Sequence, residues 1–224
     1  GVAARRDAMF AGAKINETMV SVSLSDEQSA RASSMNPEIK AGASTDMDTT
    51  ATQSFSLSLQ HPVDRANTIS ASLNQTKTDV NYDHDNFTFG LESDRHLMQR
   101  VSDNIQVNWL SHVSERWTSD LSFGNQQQRI EDRKNGVLRT SNWDIGRASS
   151  EQSTLRWSNT LTVKEDLLLN AGGEVSAEQY QSDAILSGYD SQRDTQAVLF
   201  GRTQYAEKAS FQMNWRFDHI DLED

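Results

Sequence analysis

Five short turns recur along the chain at intervals of roughly 45 to 50 residues, and between successive turns lie a strand, a long polar segment and a second strand. The turns fall near Asn16-Glu17, Pro62 to Arg65, Val113 to Arg116, Val163 to Asp166 and Ala206 to Lys208. Short connections on one side and long ones on the other describe an up-and-down antiparallel sheet, the pattern of an outer-membrane β-barrel wall. A soluble meander has no physical reason to sort its loop lengths by side.

Between the turns, apolar and polar residues alternate. Phe55, Leu57 and Leu59 interleave with Ser54, Ser56, Ser58 and Gln60, and Ile69, Ala71 and Leu73 with Ser70, Ser72 and Asn74. The runs Ile105, Val107, Trp109 and Phe211, Met213, Trp215, Phe217 repeat the pattern, as does the stretch from Leu155 to Val163. A period of two gives one apolar face and one polar face. The polar face carries Arg156, Glu174, Glu178, Arg202 and Arg216 besides amides and hydroxyls. In a β-sandwich the apolar face turns inward, whereas in a membrane barrel it turns to lipid and the polar face lines the lumen. The period alone leaves both open.

The alternation predicts an all-β chain with strands over 7–15, 18–27, 51–61, 66–79, 96–113, 116–131, 149–163, 166–182, 192–206 and 209–221. In the barrel reading Leu57, Ile69, Val107, Leu121, Leu161, Leu169 and Trp215 share the outer face, opposite Arg156, Glu174 and Arg216. Residues 28–50, 80–95, 132–148 and 183–191 are then loops that protrude from one end and carry ligand specificity.

Composition is compatible with this. Hydrophobic residues make up 35% of 224, and no run approaches the roughly 20 apolar residues of a transmembrane helix. Barrel strands need only about ten residues, half of them polar. The net charge of −11 and the lack of a basic stripe argue against a nucleic-acid partner. With no cysteine, neither disulfides nor thiol chemistry are available. Gly1 opens in sequence that already reads as strand, and Asp218 to Asp224 stop where a loop should open. Residues 1–224 are therefore expected to be a partial barrel domain from a longer chain, without a plug domain of their own.

Four motifs occur in order: Arg156-Trp157-Ser158-Asn159-Thr160-Leu161, Gly172-Gly173-Glu174-Val175, Gly188-Tyr189-Asp190 followed by Gln192-Arg193, and Arg216-Phe217-Asp218. In this order the chain resembles the barrel of TonB-dependent outer-membrane receptors, the cobalamin-receptor type above all, between about Val101 and Asp218. The resemblance implies a barrel of about 22 strands, an N-terminal plug, an energising TonB-type partner outside this chain, outer-membrane lipid around it and a scarce nutrient such as cobalamin or another corrinoid as ligand. It places the protein in the bacterial outer membrane.

Carboxylates concentrate in the long segments, at Asp46-Met47-Asp48 and across Asp79 to Asn86. Calcium needs six to eight oxygens, which loops supply without obeying strand alternation. Asp46, Asp48, Asp79, Asp83 and Asp85 are the candidate Ca²⁺ ligands, and Asn81, Tyr82, Tyr189 and Asp190 the candidate ligand-binding residues. The resembled cobalamin receptors order their binding loops with calcium held by loop aspartates. A solvated acidic loop explains the same residues without a metal, and no other cofactor is implied. No enzyme is expected: there is no H-E-x-x-H, no G-x-S-x-G elbow and no phosphate-cradling glycine loop, and His61, His84, His96, His112 and His219 are scattered.

Two function classes remain at this point. One is the wall of an outer-membrane receptor or transporter. The other is a self-contained acidic β-barrel or β-sheet acting as a binding or adhesion module.

Overall fold

The computed structural model describes residues 3–31, 48–82, 96–139, 146–165, 167–183, 191–205 and 209–223. Eleven strands form one antiparallel sheet: β1 (Ala3–Ile15), β2 (Thr18–Arg31), β3 (Asp48–Pro62), β4 (Asn67–Tyr82), β5 (His96–Ser114), β6 (Trp117–Lys134), β7 (Val137–Leu138), β8 (Arg147–Lys164), β9 (Leu167–Ser182), β10 (Ser191–Tyr205) and β11 (Ala209–Glu223). Spatial order follows chain order, with β7 folded off the path onto β6. Among the described residues β1 and β11 each pair on one side only.

Local chemistry sets the turns. Asn16 adopts φ 54° between β1 and β2, a left-handed conformation that asparagine tolerates. Asn135 (φ 51°) and Gly136 (φ 82°) join β6 to β7, the pair of positive dihedrals a two-residue hairpin requires. Between β3 and β4 the Asp64 carboxylate accepts hydrogen bonds from the Ala66 and Asn67 backbone N–H groups at 2.7 and 2.8 Å and from the Asn67 amide.

All ten predicted strands are present, eight of them at longer spans, while β9 is one residue shorter than expected and β10 is shifted by one residue at equal length. Residues 28–31, 48–50, 80–82, 132–134 and 147–148, expected in loops, continue the ladders. They lack alternation because both faces are polar there, yet cross-strand backbone pairing continues without an apolar face. β7 is an eleventh strand that was not expected.

Register reveals the outer face. Ala13, Val20, Leu59, Ala71, Val107, Phe123, Leu155, Val175, Ala197 and Phe217 form one unbroken apolar row across ten strands. The seven residues expected on this side all fall on it, and Arg156, Glu174 and Arg216 fall on the other. No apolar core lies beneath: the one large side chain that is fully buried among the described residues is His96, while Leu155 is 50% and Trp215 56% exposed. The sheet is a single layer. Such a continuous apolar surface far exceeds what a soluble monomer shows to water.

Strand length adds a second constraint. β5 has 19 residues and β6 and β8 have 18, against about 9–11 needed to cross a bilayer. The outer face turns polar at the row Gln75, Asp103, Gln127, Glu151, Gln179, so the excess length stands beyond the apolar band on the side of the long connections. On the short-turn side, three outward tryptophans mark the opposite border. Their indole N–H groups donate to outward neighbours: Trp109 to Asn67 Oδ1 (3.1 Å), Trp117 to Asn159 Oδ1 (3.0 Å) and Trp157 to Ser119 Oγ (2.9 Å). An amphipathic ring satisfied in this way suits an interfacial belt.

Candidate functional site

The long-loop ends of β4, β5 and β6 bring together Tyr82, His96 and Asp132, all on the inner face by register. Tyr82 Oη donates to Asp132 Oδ2 at 2.7 Å, and Arg139, just past β7, meets the same oxygen through Nη1 at 3.2 Å. The His96 ring is tilted 42° against Tyr82 with centroids 5.5 Å apart, and only 1% of the residue is exposed. Burial first, then the Asp132 carboxylate, pushes the Tyr82 hydroxyl up to about 12. The second Asp132 oxygen, Oδ1, is buried without a hydrogen-bond partner among the described residues. Backbone bonds lock the rim: Asp132 N–H donates to Gly146 O (2.9 Å) and Arg139 N–H to Asp132 O (3.0 Å). Gly146 is required there, since a Cβ would collide with the Arg139 carbonyl and reach 3.0 Å from Asp183 Oδ2.

On the outer face of the same rim, Glu131 joins β6 to β8. It takes Arg133 Nη2 at 2.7 Å and Arg147 Nε at 3.3 Å. Arg133, then Arg147, holds its carboxyl below the ordinary value despite some desolvation.

Deeper, the inner face divides by chemistry. On β2 to β5 the rows Ser21, Ser58, Ser72, Gln106 and Ser23, Ser56, Asn74, Asn104 contain only hydroxyls and amides. These groups satisfy one another, as in Ser21 to Ser58 and Ser23 to Ser56, each 2.6 Å. On β8 to β11 the next row toward the short turns carries charge, with Arg156, Glu174, Val198 and Arg216 in register. The Arg156 guanidinium lies 5.2 Å from the centroid of the Phe200 ring and 4.0 Å from Glu174 Oε2. Gly172 makes this packing feasible. A Cβ there would run into the Trp157 carbonyl and stand 2.7 Å from Phe200 Cζ. The glycine thus has a specific cause, an aromatic ring laid across the strand.

Among the sequence-derived site residues, Asn81 and Tyr82 are adjacent but face opposite ways: Asn81 points outward and donates to Thr49 Oγ1 at 2.8 Å, while Tyr82 points in. Asp48 falls on the inner face and Asp79 on the outer. Asp79 is engaged by Gln99 Nε2 (2.8 Å) and Lys77 Nζ (3.4 Å). Asp46, Asp83, Asp85, Tyr189 and Asp190 lie outside the described residues. Among the described residues no three His, Cys, Asp or Glu side chains converge on a metal-sized space. His96, Asp132 and Arg139 were not singled out from the sequence as a site. They come from separate strands, and no spacing in the chain announces their meeting.

A single-layer antiparallel wall with an apolar exterior and a polar opposite face has the fold of an outer-membrane β-barrel wall. Solved structures agree on this fold. The ferric enterobactin receptor PfeA of Pseudomonas aeruginosa, solved as a mutant, superposes with a TM-score of 0.66 at 12% identity over 97% of this chain. The outer membrane transporter YddB of Escherichia coli superposes at 0.59 with 8% identity, also over 97%. This chain spans 37% and 34% of those two chains. No protein-family model and no curated protein matches the sequence.

Proposed function

We propose that this chain is part of the wall of a nutrient-uptake receptor in the bacterial outer membrane, with a plug in its lumen and a TonB-type partner supplying energy. The unbroken outward apolar row across ten strands carries the reading, because that surface is stable only against lipid. β1 and β11 have ladders open on one side, which lipid does not tolerate, so further strands complete the barrel. The likeness to a ferric enterobactin receptor and an outer membrane transporter supports uptake as the activity.

The long-loop end is the ligand end in this reading. There Tyr82, His96, Asp132 and Arg139 tie the ends of β4, β5 and β6 together into a rim. A corrinoid ligand rests on the sequence resemblance alone, and calcium on that resemblance together with the clustered carboxylates of the long segments. Equilibrium dialysis of the full-length protein in detergent against radiolabelled cyanocobalamin, with and without Ca²⁺, tests both. Saturable binding that weakens on chelation supports them, and binding of a ferric siderophore instead would keep the receptor and overturn the corrinoid. A full-length protein that stays monodisperse without detergent would overturn the membrane wall.

A further inference from the structure

We propose that an outward hollow over β6, β8 and β9, on the long-connection side of the apolar band, binds the sugar head of a glycolipid in the adjoining leaflet; this rests on the membrane-wall reading above. The hollow measures about 410 Å³, and Gln127, Arg129, Ser149, Glu151, Gln179 and Gln181 line it from the outer face. Strand length puts it at the level of lipid heads. A strand crosses the hydrocarbon in about 9–11 residues, and counted along β8 from the outward Leu161 the crossing ends between Ser153 and Glu151. Glu151 and Ser149 therefore stand where heads, not acyl chains, meet the wall.

The polar groups of the hollow are uncommitted. On β3, β4 and β5 the outward glutamines already donate to carboxylates: Gln53 to Asp26 (3.1 Å), Gln75 to Asp103 (2.8 Å) and Gln99 to Asp79 (2.8 Å). Among the described residues Gln127, Ser149, Gln179 and Gln181 make no side-chain hydrogen bond. Arg129 lies 3.7 Å from Asp103, too far for a hydrogen bond, and its side chain is 66% exposed.

This chemistry selects a sugar. Three amides and a hydroxyl both donate and accept, Glu151 accepts and Arg129 donates, a set that matches the paired donor and acceptor of each sugar hydroxyl. Asp103 and Glu151 share one row across Gln127 and outnumber the single guanidinium beside them, which disfavours a head whose strong acceptor is a phosphate. The occupant is a lipid and not a free saccharide, because the outer column beneath the hollow continues through Ser153 and Ala177 to Leu155 and Val175, against which acyl chains lie.

Native mass spectrometry of the detergent-purified full-length protein tests this, with digalactosyl diacylglycerol and phosphatidylglycerol of identical acyl chains as the two probes. The galactolipid should be retained at about one tenth of the concentration that phosphatidylglycerol requires, a preference equivalent to roughly one or two net hydrogen bonds. Gln127→Leu with Gln179→Leu should abolish the preference, whereas Gln126→Leu with Gln152→Leu, a cross-strand pair facing the lumen, should preserve it. If the outward pair fails to assemble, Ser149→Phe fills the hollow and should give the same loss. Equal retention of the two lipids by the unaltered protein, or a preference that survives the outward substitutions, overturns the site and leaves the membrane wall standing. A full-length protein that stays monodisperse without detergent overturns the wall itself.

Discussion

The Tyr82 hydroxyl donates to Asp132 Oδ2 at 2.7 Å, tying β4 to β6 over the intervening β5. Because burial and the Asp132 carboxylate raise this hydroxyl to about 12 from 10.0, the neutral form is the one the fold favours. The contribution is complete below pH 10 and is lost as pH rises through about 12. Alkaline ultraviolet titration of the folded protein should show one tyrosine ionising well after an ordinary one, and Tyr82→Phe should abolish that late step. Ionisation of every tyrosine near pH 10 would contradict the buried pair.

Glycine positions should separate sharply. Gly172→Ala and Gly146→Ala place a methyl group into the Trp157 and Arg139 carbonyls respectively, and each should destabilise by about 1–3 kcal/mol or more. At Gly124 the nearest atom to an added Cβ is 3.9 Å away, so Gly124→Ala should be tolerated. Urea midpoints read from heat-modifiable electrophoretic mobility would rank the three.

The β3–β4 turn should loosen in acid. Asp64 is held below its ordinary value of 3.8 by the Asn67 side-chain amide, then by the Ala66 N–H. A lowered folded value means that the stabilisation is present above about pH 4 and disappears as pH falls through the folded value. Hydrogen exchange at Ala66 and Asn67, corrected for intrinsic rates, should accelerate on acidification. Asp64→Ala should make it fast at all pH values.

The loss of alternation at the border of the apolar band limited what the sequence revealed. From Phe55 to Leu59 and Ile69 to Leu73 the period of two is clean, and strand, register face and turn side were all legible there. At 28–31, 48–50, 80–82, 132–134 and 147–148 the alternation is lost, so hydrogen-bonded wall looked like loop. The site was less legible still. Tyr82 was singled out, but its partner Asp132 lies 50 positions later and belongs to a strand that is not its neighbour. The space that Gly172 clears for Phe200 depends on a register between β9 and β10 that no local motif states.

Charge substitution should distinguish the two faces of one strand pair. Val107→Arg and Leu155→Arg put a guanidinium against lipid and should each cost about 2–4 kcal/mol. Gln106→Arg, one residue from Val107 but facing the lumen, should change folding free energy by no more than about 0.5 kcal/mol. Folding titrations into lipid vesicles supply both values.

Spin-label accessibility along β5 tests the outward apolar face most directly. Single labels at positions 104 to 109 in the full-length protein, reconstituted in lipid, should alternate: 105, 107 and 109 exposed to dissolved oxygen, and 104, 106 and 108 shielded from it and in a polar environment. Odd positions shielded from both oxygen and water-soluble relaxants would place Ile105, Val107 and Trp109 in a protein core and contradict the membrane wall.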